Sequence, residues 1–242
     1  MKRSCLFCPQ LFAVLSVPAF VLLYTFTALI LLFILILARL RMRRVVKCMI
    51  RFWARGSFAL ILKRLRVDGK EHIERGKRYI LVANHASLFD ILAIMAFYPN
   101  VSFFGKEYLT KIPVLGSVLK VINFVPMRST DLRNTRNMLN QLQKKAENFT
   151  VAIFPEGTRT RDGEFNRFRK GFVHLIRATD HQILPVTLNG FFKLKPAQRF
   201  YINFRIPIGV VIHPPINNEE LSAKEDQEII DTIQGVIGSA YY

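Results

Sequence analysis

A stretch of 35 residues without a charge, Ser4 to Ala38, constrains this chain more than any other feature. From Leu11 to Ala38 it is almost entirely apolar, longer than the roughly 20 residues a helix needs to cross a bilayer. A membrane-embedded helix is the expectation. A secretory signal would have a shorter apolar core and a small-residue cleavage site. This run instead ends in Ala38-Arg39-Leu40-Arg41-Met42-Arg43-Arg44, which reads as a stop and an anchor. Pro18 falls early in the run and leaves two arrangements open: a crossing helix, or a re-entrant helical pair with Leu11 to Val17 as a separate interfacial turn. Lys2 and Arg3 flank one end, and a far larger basic cluster flanks the other. The positive-inside bias therefore places everything after Arg39 on the cytoplasmic face of a membrane.

Charge points the same way. Lys and Arg number 35 against 17 Asp and Glu, a formal +18, which calls for a polyanionic surface nearby, either nucleic acid or an anionic membrane. Between Arg39 and Lys70 there are eleven basic residues and one acid, Asp68. Arg44, Lys47, Arg51 and Arg55 recur at helical spacing, with Val46, Met49, Ile50, Trp53 and Leu60 near the opposite face. That pattern predicts an amphipathic interfacial helix on membrane phospholipids. No zinc-ligand spacing or RNA-binding signature accompanies the charge, so no nucleic acid partner is expected. Three cysteines, Cys5, Cys8 and Cys48, make no disulfide framework and fit a reducing compartment.

With 51% hydrophobic and 21% charged residues the chain folds, and the length beyond the anchor has room for one domain. The organisation expected is residues 1–64 as membrane anchor and basic amphipathic segment, then 65–242 as an α/β domain. Buried strands are predicted at Tyr79 to Ala83, Val101 to Phe104, Ile122 to Val125, Val151 to Phe154, Ile183 to Leu188 and Tyr201 to Ile206. Helices are predicted at Phe89 to Phe97, Asp131 to Phe149 and Phe172 to Ala178. A last helix bears Ile229, Ile230, Ile233 and Ile237 and is opened by a Ser222/Glu225 capping box. Strands alternating with helices indicate α/β architecture.

Three places carry chemistry, each where a strand ends. In Asn84-His85-Ala86-Ser87-Leu88-Phe89-Asp90, the five-residue spacing of His85 and Asp90 corresponds to about 140° on a helix and to opposite faces of a strand. A strand-to-helix corner capped by Ser87 pairs them, letting Asp90 fix the tautomer of a His85 general base. No Ser or Cys is placed as nucleophile, so the hydroxyl activated belongs to a substrate. In Phe154-Pro155-Glu156-Gly157-Thr158-Arg159, Pro155 stops the strand and Gly157 permits a turn or a close approach. Arg159 offers a fork for phosphate, which Glu156 orients unless it accepts a substrate hydroxyl itself. Lys106 after one strand and Arg128 after the next each add a cation. His72, His174, His181 and His213 lack partners at ligand spacing, so no metal is expected.

These blocks resemble, in order, those of the 1-acyl-sn-glycerol-3-phosphate acyltransferase (PlsC-like) family. Asn84 to Asp90 matches its N-H-x-x-x-x-D block and Phe154 to Arg159 its F-P-E-G-T-R block. Gly105 to Arg128 is similar to the second block, Leu184-Pro185-Val186 to the fourth, and Phe168-Arg169-Lys170-Gly171 to the run following the third. The resemblance covers about residues 65 to 215. It implies a glycerolipid acyltransferase-like domain with a central mixed sheet flanked by helices, preceded by membrane-docking helices. It also implies His85 and Asp90 as catalytic pair and Lys106, Arg128, Glu156, Gly157, Thr158 and Arg159 as substrate-binding residues, Lys106, Arg128 and Arg159 holding the acceptor phosphate and Glu156 and Gly157 shaping its pocket. The implied reaction moves an acyl chain from acyl-CoA or acyl carrier protein to the sn-2 hydroxyl of lysophosphatidic acid, giving phosphatidic acid with no cofactor and no metal. Glycerol 3-phosphate, a lysophospholipid or a lyso-aminolipid remains open as acceptor. Two other classes also stay open: a non-enzymatic membrane-surface protein and a hydrolase that activates water.

Overall fold

The computed structural model describes residues 7–112, 116, 119–120, 122, 124–127, 144 and 149–242. The expected helix from Asp131 to Phe149 falls almost entirely outside them, as do Arg128 and Cys5. Helix α1 (Phe7–Arg39) runs unbroken through Pro18, which forfeits a single backbone bond. A tight turn, with Arg41 at φ 58°, folds the chain back into α2 (Arg43–Leu60).

The apolar face of α2 meets protein. Val46, Ile50, Ala54 and Phe58 are buried in a cluster shared with α1 and the sheet. Trp53 Nε1 donates to Thr27 Oγ1 of α1 at 3.1 Å. This corrects the expectation of a lipid-facing apolar stripe on α2. The bare apolar surface belongs to α1, where Leu11, Val14, Val21, Leu22, Leu29 and Leu32 are exposed, and what α2 presents outward is its basic stripe.

Seven strands follow: β1 (Leu65–Asp68), β2 (Ile80–Ala83), β3 (Val101–Lys106), β4 (Val125–Met127), β5 (Thr150–Ile153), β6 (Ile183–Asn189) and β7 (Ile208–Ile212). They form one sheet in the order β1-β7-β6-β2-β5-β3-β4, parallel throughout except between β6 and β7. This is the mixed sheet expected. Strands β2, β5 and β6 are buried along their whole length, as strands covered on both faces must be. Leu81, Ala83, Leu184, Val186 and Leu188 face α1, α2 and α3 (Phe89–Phe97). Ile80, Val82, Val151 and Ile183 face α4 (Gly171–Arg177) and the last helix. A short α5 (Phe191–Leu194) follows β6. Then α6 (Asn218–Ser222) and α7 (Asp226–Gly238) close the chain, with the four predicted isoleucines buried.

Four expectations change, the first being that the strand expected over Ile122 to Val125 starts only at Val125 and runs to Met127. Tyr201 to Ile206 is not a strand. Its Ile202 N–H donates to Ser16 Oγ of α1 at 2.8 Å, and the Phe204 and Ile206 carbonyls accept from Lys63 Nζ at 2.6 and 2.5 Å. Groups a ladder would have used are spent on docking the N-terminal helices, and the sheet instead takes Ile208–Ile212. Leu65–Asp68 is an additional strand. The Ser222/Glu225 capping box is absent: Ser222 ends α6 with its hydroxyl on the Glu219 carbonyl, and α7 starts after Glu225 without a side-chain cap. Phe12 stacks on Tyr201 and Phe20 lies against Phe200, so α1 lies along the domain rather than projecting from it.

Candidate active site

Parallel strands deliver their C-terminal ends to one edge of a sheet, and strand order decides which loops become neighbours there. Reading across β6, β2, β5 and β3, those ends lead to Lys195, to His85, to Glu156 through Arg159 and to Lys106. With about 4.8 Å between strands, blocks far apart in sequence meet within roughly 20 Å.

The β2 corner is held from both sides. Beyond the strand end, Asn84 imitates a ladder residue: its Oδ1 accepts the Leu188 N–H at 2.7 Å and its Nδ2 donates to the Leu188 carbonyl at 3.0 Å. The His85 N–H donates to Glu156 Oε1 at 2.7 Å, and the His85 carbonyl accepts the Thr160 N–H at 2.9 Å. Asp90, fully buried in the first turn of α3, reaches back. Its Oδ2 accepts the Ala86 and Ser87 N–H groups at 2.6 and 2.8 Å and lies 2.8 Å from His85 Nδ1. The predicted pair therefore forms, with Nδ1 committed to Asp90 and Nε2 left for a substrate. Ser87 caps little, since its hydroxyl donates to the Lys195 carbonyl at 2.8 Å and sits 3.4 Å from the Phe89 N–H.

Phe154 stacks flat on the imidazole, centroids 4.1 Å apart and planes 17° from parallel. Its π face covers one side of the ring and fixes the imidazole plane. In the sequence Phe154 reads as a strand residue and as the first of the F-P-E-G-T-R block, with no sign of its place against the imidazole.

The expectation that Glu156 orients Arg159 is not met: among the described residues no hydrogen bond or ion pair joins the two. Oε1 takes the His85 N–H, and Oε2 takes the backbone and side-chain nitrogens of Asn166 at 3.3 and 2.8 Å. Burial pushes its carboxyl up from the ordinary glutamate range, against the pull of those donors. Glu156 is a positioning residue for the His85 backbone. Gly157 has φ +74°, and a Cβ there would lie 3.1 Å from Arg169 Nε, so the guanidinium of Arg169 packs over bare backbone. Gly157→Ala is expected to lower stability by about 1–2 kcal/mol, the cost of a left-handed alanine. An unchanged denaturation midpoint would contradict it.

Arg159 is half-buried, and Thr158 and Lys106 are exposed at the same edge. Lys195, which the sequence reading passed over, arrives there too because β6 runs parallel to β2. Its ammonium pKa is pushed down by burial and then by the positive charge of Arg159. Two cations held close, one of them partly desolvated, make a site for an anion.

The acyltransferase family model matches residues 64–189, more than half of the chain. The chain belongs to the acyltransferase family. Among relatives of this family member, a chloroplastic protein named 1-acyl-sn-glycerol-3-phosphate acyltransferase LPAT1 from Arabidopsis thaliana is 29% identical over 174 residues. That alignment covers 70% of this chain and 48% of that protein. A 1-acyl-sn-glycerol-3-phosphate acyltransferase from Limnanthes douglasii is 31% identical over 176 residues, covering 71% of this chain and 61% of that one. The chain thus spans about half to three fifths of these two relatives. The crystal structure of the LPA acyltransferase PlsC from Thermotoga maritima superposes with a TM-score of 0.81 at 26% identity, covering 93% of this chain and 94% of that one. The fold is that of an acyltransferase.

Proposed function

We propose that the chain transfers an acyl group from an acyl thioester, carried by coenzyme A or acyl carrier protein, to the sn-2 hydroxyl of 1-acyl-sn-glycerol 3-phosphate, yielding phosphatidic acid. The observation that carries this reading is the His85–Asp90 pair, with Nε2 free at an edge that also gathers Arg159, Lys195 and Lys106. His85 Nε2 takes the acceptor hydroxyl proton as its oxygen attacks the thioester carbonyl. The tetrahedral intermediate collapses, the thiolate leaves, and the imidazolium returns the proton to it. The steps balance without an acyl-enzyme, a metal or a resident cofactor. Asp90 supports the charged imidazole, and its Oδ1, buried with no hydrogen-bond partner among the described residues, leaves charge available for that.

The acceptor is a membrane lipid in this reading, and the exposed apolar face of α1 supports membrane association. Because α1 packs along the domain from Phe12 onward, it embeds beside the domain instead of crossing away from it. The basic excess after Arg39 favours the cytoplasmic face.

Arg159→Ala and Lys195→Ala are each expected to raise the acceptor KM about tenfold or more, with a smaller fall in kcat, as loss of a charged hydrogen bond to a ground-state phosphate should. Steady-state kinetics varying the acceptor separates the two parameters, and an unchanged KM removes that residue from the phosphate site. The reaction itself is tested by incubating the full chain with acyl-CoA or acyl carrier protein and each acceptor in turn, following thiol and lipid product. Thiol release dependent on 1-acyl-glycerol 3-phosphate supports the reading. Release with another acceptor reassigns the substrate, and release with none makes the protein a hydrolase.

A further inference from the structure

A second site lies on the opposite edge of the sheet. The segment entering β2 carries Arg75, Lys77 and Arg78, and it closes with Arg44, Lys47 and Arg51 of α2 around a cavity of about 550 Å³. One acid lines it, Glu74, and that is spent on Lys77 at 2.7 Å. Among the described residues, none of the other five cations has an ion-pair partner. Seven residues separate Arg78 from His85 along the β2 chain, about 23 Å at the rise of a strand, so this cavity is not the acceptor pocket.

Two features ask for an anion here. Five unpaired cations converging on one cavity repel one another until a counter-charge enters. Helix α2 also begins against the usual rule, with no side-chain cap, no acid in its first turn, and Arg44 standing where the helix end is itself positive. Bound negative charge relieves both strains at once.

A neighbouring cavity of about 430 Å³ gives the ligand its second half. It is walled by Ala38, Val46, Ile50, Val101, Ile122 and Phe149, with Arg41 also lining it, and it shares Lys47, Pro99 and Asn100 with the basic cavity. Ala38 is the last residue of the uncharged run, so this space, apolar along one wall, opens at the depth where the chain leaves the hydrocarbon layer. An anionic head beside an apolar chain at the bilayer surface is the chemistry of an anionic phospholipid.

We propose that the two cavities together bind one anionic phospholipid, distinct from the lipid acylated at His85. Its phosphate lies among Arg44, Lys47, Arg51 and Arg78, and an acyl chain lies against Val46 and Ile50. The site stands apart from the reaction proposed above, and its test reads no acyl transfer.

The chain holds a single tryptophan, Trp53, one helical turn from Ile50. In neutral mixed micelles, phosphatidylglycerol with brominated acyl chains should quench Trp53 at a mole fraction at least tenfold lower than brominated phosphatidylcholine does. The double variant Lys47→Glu/Arg51→Glu, both positions exposed, should erase that preference. Arg199→Glu/Arg205→Glu, which makes the same change of charge outside the cavity, should leave it intact. Equal quenching by the two lipids would overturn the site. So would an equal loss in both double variants, which marks diffuse attraction. Displacement of the brominated lipid by inorganic phosphate as effectively as by unbrominated phosphatidylglycerol would also overturn it, because the chain would then contribute nothing.

Discussion

His85→Ala is expected to reduce acceptor-dependent thiol release by about 10²- to 10⁴-fold, the usual contribution of a positioned general base. The fold should survive, because the backbone of residue 85, not its ring, makes the bonds to Glu156 and Thr160. The ring is partly buried at the sheet edge, its side chain 17% exposed, stacked on Phe154 and bonded only to Asp90 among the described residues. Loss of rate with an unchanged circular dichroism spectrum and denaturation midpoint is therefore the expected result. Activity within a factor of a few of wild type would remove His85 as the base, and with it the mechanism. Asp90 makes a poor control for this experiment. It is completely buried and satisfies two backbone N–H groups, so its replacement disturbs the corner as well as the imidazole.

Glu156→Ala should act through both structure and rate. The substitution leaves the His85 N–H and the Asn166 amide without their acceptor in a buried setting, which costs about 3 kcal/mol for hydrogen bonds to a charged group. Because those bonds hold the His85 backbone, kcat should fall as well, while the acceptor KM changes little. Glu156→Gln should recover part of both, since one amide oxygen can still accept from His85 while the Asn166 side chain turns to accept from the new amide nitrogen. A substrate-contacting Glu156 predicts the opposite pattern, a raised KM with normal stability. A pH signature accompanies it. Burial raises the Glu156 carboxyl, so the native state holds that proton more tightly than the unfolded chain does. This residue's share of stability is complete below the ordinary glutamate pKa and declines as pH rises through the raised one. The alanine variant should lose that slope, measured as denaturation midpoints across the acidic range.

The pairing of His85 with Asp90 was legible in the chain because a five-residue spacing suits neither regular element and a corner between two legible elements brings the ends together. Helix α3 appeared with the predicted bounds, and the buried strands β2, β5 and β6 appeared within a residue or two, because uninterrupted apolar runs of that length can only be covered on both faces. Tyr201 to Ile206 misled for a related reason. Its aromatic and aliphatic residues are indeed buried or stacked, but against α1, so the pattern reported burial and not a ladder.

The sequence by itself determined the uncharged anchor and its basic boundary, the α/β alternation, and the corners at which chemistry is displayed. These rest on local spacing, on apolar periodicity and on the conformational limits of Pro and Gly. Only the tertiary structure decided that Glu156 holds the His85 backbone, that Lys195 joins Arg159, and that the apolar face of α2 is covered by protein. Each of those depends on which strand lies beside which and on which helix docks where. A glutamate or a lysine carries the same local signal whether its partner is a backbone amide, a phosphate or water, and only the fold brings one of them within reach.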